Sequence, residues 1–193
     1  MRKLILVVIV VLFAMTFISA ANPFGIYPFK IPKEYEQQLK DYRTSWQRMS
    51  GFEYSGLHWQ QFITIFVKGS TKTYENNYME YLQFYQDYDE DEDEEDVEKP
   101  KFMKYEPGSI VLKENFSAAS GTPNDAISVT MMIKHKPGYS PEYGDWEYVQ
   151  FSKEGQIMLA GKASDPVIMQ TCANCHNNVA DRDYIFANFY SRK

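Results

Sequence analysis

Cys172-Ala173-Asn174-Cys175-His176 holds every thiol of the 193-residue chain and sets an imidazole directly after the second one. Four chemistries use such residues. A disulfide across two intervening residues closes so small a loop that it restrains the unfolded chain very little. A redox dithiol of the thioredoxin kind sits beside a βαβ pattern, and none is visible here. Structural zinc takes four ligands, whereas this unit offers three and its neighbours none. Covalent haem attachment fits: two thiols separated by two residues form thioethers to the vinyl groups, and the following histidine ligates the iron. One helical turn presents both sulfurs to one edge of the porphyrin, and the next residue aims its imidazole along the ring normal. Cys172 and Cys175 are therefore the expected attachment points of one haem c, with His176 as the iron ligand.

The group on the other side of the iron sets the function. Small electron-carrier cytochromes carry this motif near the start of an all-helical chain, with a late methionine as sixth ligand. Here the motif lies near the C-terminus and the preceding chain is rich in strand signals. Met103, Met131, Met132, Met158 and Met169 are available as ligands, yet methionine more often fills gaps in a core. His58 is a second candidate ligand, weighed against a packing role beside Trp59, while His135 opens a loop and is expected to be exposed. Arg182 follows the motif, and its guanidinium suits a haem propionate or the surface. Trp146 and Tyr148 are expected in the core near the haem wall. Without a sixth protein ligand the iron is open to a small molecule, which favours gas binding or catalysis over electron transfer.

The elements that must position this unit are legible in outline. Met1 to Ala20 runs from Arg2-Lys3 through an apolar stretch to Ile18-Ser19-Ala20, the layout of a cleaved secretory signal. The mature chain, residues 21–193, is then expected outside the cytoplasm, in the periplasm or otherwise exported, as one haem domain. Removing the leader leaves 18 basic residues against 26 acidic, a net of −8, and with no basic cluster nucleic acid is excluded as a partner. Residues 87–98 place ten acids in twelve positions, which reads as a disordered, solvated loop.

Apolar residues recur at steps of three or four over 32–49 (Tyr35, Leu39, Tyr42, Trp46, Met49) and over 73–85 (Tyr74, Tyr78, Tyr81, Leu82, Tyr85), predicting helices. Residues 61–68, 109–116, 126–134, 146–151 and 156–160 read as strands, and the Pro/Gly-rich 135–145 as a loop. The fold class is α+β: mainly an antiparallel sheet with flanking helices.

Three stretches, YEPGSIVLKENF (105–116), PGYSPEYGDWEYVQF (137–151) and TCANCHNNVADRDYIFANFY (171–190), in that order, resemble the cytochrome P-460 family, which includes the cytochrome c′-beta proteins. The resemblance implies an exported monohaem c-type protein with a largely antiparallel β fold that handles hydroxylamine or nitric oxide. It implies partners of three kinds: a small nitrogen-oxide or hydroxylamine ligand, a redox-partner cytochrome, and a second copy of the chain in a homodimer. In hydroxylamine-oxidising members a strand lysine cross-links to the porphyrin edge, and Lys113 stands at that position. Those members also hold a distal carboxylate on the next strand, where this chain has Thr130. Lys113 and Thr130 are thus the candidate catalytic positions. The missing acid removes the obvious proton acceptor, and an apolar pocket built from Val129, Met131 or nearby Phe residues would suit neutral nitric oxide. Glu114, next to Lys113, is expected to face the other way.

Overall fold

The computed structural model describes residues 29–56, 58, 60–87, 99–123 and 125–186. The leader at 1–20 and the acidic segment, apart from Asp87, lie outside the described residues. The described strands are β1 (Gln47–Arg48), β2 (Glu53–Ser55), β3 (Gln61–Lys68), β4 (Ile110–Ser117), β5 (Ala126–Lys134), β6 (Trp146–Ser152) and β7 (Ile157–Lys162). They form one seven-stranded antiparallel sheet in which β3 to β7 follow chain order, and β1 and β2 share the free edge of β3. Among the described residues no helix is long and apolar enough to cross a membrane.

Strand residues alternate between two faces, and the register sorts them into rows. One row runs Ile65, Lys113, Thr130, Gln150, Leu159, and the neighbouring row on the same face runs Val67, Val111, Met132, Tyr148, Gly161. The opposite face carries Phe66, Leu112, Met131 and Val149. Both faces are covered, so the sheet separates two buried apolar clusters.

The segment from Phe29 to Trp46 covers the second face. The helix expected over 32–49 is not continuous: a 3-10 turn at Lys33–Tyr35 is followed by a four-residue helix, α1 (Tyr42–Ser45), and then by β1. Asp41, in the left-handed region at φ 55°, stops a helix from running through. The three-to-four spacing marked a core-facing stripe all the same, because Leu39 and Tyr42 are fully buried against Phe66 and Leu112. Met49 departs from the stripe and packs with the other cluster, since the chain crosses to the far face at the sheet edge. The second expected helix is present as α2 (Thr71–Asp87). Its buried Asn77 clamps the backbone of Met103 by two hydrogen bonds of 2.8 and 2.9 Å.

Glu114 does face away from Lys113. Its carboxylate is buried on the second face, takes a two-pronged contact from Arg43 at 2.6 and 2.7 Å, and accepts a hydrogen bond from the Tyr42 hydroxyl. Removing one partner of such a pair strands a desolvated charge. Arg43→Ala is expected to cost roughly 3–5 kcal/mol, and the apolar double variant Arg43→Met/Glu114→Leu to recover most of it. Urea unfolding of the three proteins checks this.

Candidate functional site

The cysteine motif lies in a helical run after β7: α3 (Pro166–Ile168), a π turn (Met169–Ala173), α4 (Asn174–His176) and a 3-10 stretch (Asn177–Arg182). Pro166 suits the first helical turn because its missing N–H has no partner there anyway. A π turn inside a helix is rare and marks functional sites; here it contains Cys172. Ile168, Ala173 and Val179 are buried, and Ile168 and Ala173 anchor the run on the first sheet face beside Met132 and Tyr148. Cys172 is half-buried, Cys175 is exposed, and both are free thiols.

Between the run and the sheet lies a cavity whose empty space, counted together with its opening to solvent, is about 900 Å³. Its wall brings together Lys113, Thr130, Cys172, Cys175 and His176, with His58, Val111, Met132, Tyr148, Gln150, Ile185 and Phe186. Lys113 and Thr130 are direct cross-strand partners, and Gln150 continues their row. Behind them the Asn115 amide donates to Ser128 O at 3.2 Å and to Thr130 Oγ1 at 3.5 Å. Among the described residues none that lines the cavity is a carboxylate.

His176 is prepared as a ligand. Its Nδ1 lies 2.7 Å from the carbonyl oxygen of Tyr184, so that nitrogen is the donor and Nε2 is left to bind a metal. Burial lowers the His176 pKa to about 4, which keeps the imidazole neutral, as ligation requires. Tyr148 and Phe186 flank the ring edge-on at 5.5 and 5.2 Å between centroids.

The carbonyl that orients His176 is itself held. Asp183 and Tyr184 both adopt the left-handed region, φ 54° and 66°, which non-glycine residues reach only at a cost. Lys134 Nζ contacts both oxygens of Asp183 at 2.7 Å, Tyr105 N–H donates to the same carboxylate at 2.8 Å, and Trp146 Nε1–H donates to the Asp183 carbonyl at 2.8 Å. Gly144, at φ 67°, lets its loop close on Tyr184, because a Cβ there would lie 2.7 Å from the tyrosine ring.

A haem fits these residues on one further observation. The Tyr148 hydroxyl is buried, lines the cavity and has no hydrogen-bond partner among the described residues. A buried hydroxyl left unpaired is costly, and a bound group in the cavity can satisfy it.

Several expectations shift. Val129 does not build the pocket, because its side chain belongs to the opposite-face cluster; Met131 and Phe186 do line the cavity, as expected, together with Val111, Met132, Val149 and Ile185. Arg182 does not line the cavity: its guanidinium lies over the rings of Tyr81 and Phe102, at 4.3 and 5.7 Å. Met103 and Met158 are exposed, which leaves Met132 as the methionine whose side chain lies on the cavity face of the sheet. His135, expected to be exposed, is half-buried, stacks on Tyr139 and contacts Glu147 at 2.6 Å. His58 and Gln150 are site residues that spacing under-weighted. Gln150 was visible as the polar member of the alternating Trp146, Tyr148, Gln150 series, whereas nothing in the local sequence aims His58 at the motif.

Two outcomes test this geometry. Lys134→Met leaves the Asp183 carboxylate buried without its cation and is expected to cost roughly 3–5 kcal/mol, read from urea midpoints. Burial lowers the Lys113 pKa from 10.5 to about 7, so the folded chain bears a penalty for a charged Lys113 below about pH 7. That penalty lifts as pH rises towards 10.5, where the unfolded chain also loses the proton. Stability of the haem-free chain should therefore climb across this window, and Lys113→Met should flatten the climb.

No curated protein sequence matches the chain. The family model Cytochrome P460 matches residues 58–187, a span that runs from His58 through strands β3 to β7 to just past Phe186. The chain therefore belongs to the Cytochrome P460 family and is a haem protein of that family.

Proposed function

We propose that this is an exported protein with one covalently attached haem c that binds and acts on small nitrogen species, with nitric oxide favoured over hydroxylamine. The observation that carries the reading is a cavity joining Cys172, Cys175 and His176 to Lys113 and Thr130, with no carboxylate in its wall among the described residues. Cys172 and Cys175 would hold the group by thioethers, and His176 would ligate through Nε2. The bound haem supplies an iron that takes a small ligand and exchanges electrons. Oxidation of hydroxylamine must shed protons, and a positioned base within hydrogen-bond reach is the usual device. Thr130 Oγ1 at the position of the family's acid is a weak base, and the apolar lining accepts a neutral diatomic without that demand.

Lys113 supports hydroxylamine chemistry as the second reading. It lies in the cavity, and with a pKa of about 7 its amine is largely neutral at slightly alkaline pH, the state in which it is nucleophilic and suited to the family's porphyrin cross-link. The apolar leader at 1–20 supports export, with cleavage after Ala20. A homodimer and a partner cytochrome as electron acceptor belong to the same proposal.

Optical spectra of the purified protein, ferric and then ferrous, with an intact mass, decide between the readings. An ordinary high-spin c-type spectrum is expected. A ferrous Soret band far to the red that Lys113→Ala abolishes would instead establish the cross-link and favour hydroxylamine. Haem should remain on the chain under denaturing electrophoresis and be lost when both cysteines are replaced by serine. A wild-type chain that releases its haem overturns covalent attachment.

A further inference from the structure

His58 shares the cavity wall with His176, yet haem attachment makes no use of it. It lies in the turn between β2 and β3, where its Nδ1 is 2.9 Å from Ser55 Oγ. Ser55 closes β2, and β2 pairs with β3 through Ser55 and Gln61, so the contact ties the imidazole to the sheet edge. Among the described residues Nε2 has no hydrogen-bond partner. The ring is half-buried, and its pKa is lowered to about 3, first by burial and then by the nearby charges of Lys113 and His176. A neutral imidazole whose Nδ1 accepts the Ser55 hydroxyl proton carries its own proton on Nε2 and donates from there.

We propose that His58 donates a hydrogen bond from Nε2 to the small nitrogen-oxide ligand held in the cavity, with the Ser55 hydroxyl fixing the donor tautomer. This deepens the haem-protein reading and rests on it. The role is to orient and polarise a bound molecule. An imidazole so resistant to protonation is a poor base at neutral pH, so His58 does not replace the carboxylate missing at Thr130. A neutral donor in a largely apolar cavity acts strongly, because a hydrogen bond gains in a medium of low dielectric. It also selects for ligands with an exposed oxygen or nitrogen acceptor. His58 and Thr130 then divide the site: the first holds the ligand, and the second leaves it without a proton acceptor.

The test uses the haem-loaded full chain, reduced, with carbon monoxide as the probe. The C–O stretching frequency falls when a donor faces the bound oxygen, and it reads this whether the haem is held by thioethers or not. His58→Leu is expected to shift the stretch upward, and His58→Gln, which keeps a donor, to lie nearer wild type. Ser55→Ala is expected to broaden or split the band, since Nδ1 loses the partner that selects the tautomer. An unchanged frequency in His58→Leu overturns the proposal. So does a low-spin wild type that turns high-spin in His58→Leu, because Nε2 is then on the iron. Should His58→Leu fail to fold, the response of the band to Ser55→Ala decides. Haem lost under denaturing conditions refutes covalent attachment alone and leaves the carbon monoxide shift to judge His58.

Discussion

The buried pair between Lys134 and Asp183 governs the rest of the site. Both groups are almost wholly removed from water, at 8% and 4% exposure, and such a pair is tolerable only when its remaining hydrogen-bonding capacity is met. Tyr105 N–H satisfies the carboxylate further, and the Trp146 indole satisfies the Asp183 carbonyl. The Lys134 ammonium also lies 4.9 Å from the Trp146 ring centroid, where the ring's negative face attracts it. This network fixes two successive residues in a strained backbone region and so aims the Tyr184 carbonyl at His176. A loop after the motif, tied to the end of β5, thereby decides the orientation of an imidazole eight residues upstream.

The same sheet serves two interiors, and β4 shows how. Its alternate residues send Lys113 into the cavity and Glu114 into the opposite core, where Arg43 and Tyr42 meet the carboxylate. A one-residue slip of β4 in register would exchange its two faces, burying Lys113 against Phe66 and Met131 and exposing the cavity to Glu114. Fully met partners on both sides hold the register: Glu114 behind, and the Asn115, Ser128 and Thr130 hydrogen bonds in front. The protein thus keeps a carboxylate beside the site in sequence while excluding it from the site in space.

The cysteine spacing, strands β3 to β7 and the α+β class could be read from local patterns, because a thioether motif and a two-residue alternation are short-range signals, whereas the short β1 and β2 at the sheet edge were not. The extents of β3 and β5 coincide with their apolar runs at 61–68 and 126–134. The stripe over 32–49 misled about helix but not about burial, since closely spaced apolar residues are required of any strap laid across a sheet. Arg182 looked like a propionate partner because it follows the motif, yet the turn of the 3-10 stretch sends it to Tyr81 and Phe102.

By itself the sequence determined the chemistry the chain can carry: two thiols and an imidazole at the spacing of haem attachment, a lysine on one strand and a threonine on the next. Only the tertiary structure decided which other side chains share that chemistry. His58 and Gln150 enter the cavity and Val129 leaves it, because strand pairing and face choice depend on residues far apart in the chain. Orientation of the His176 imidazole likewise came from Lys134 and Asp183, 49 positions apart, a contact that no local pattern encodes because it exists only once β5 and the C-terminal loop have packed together.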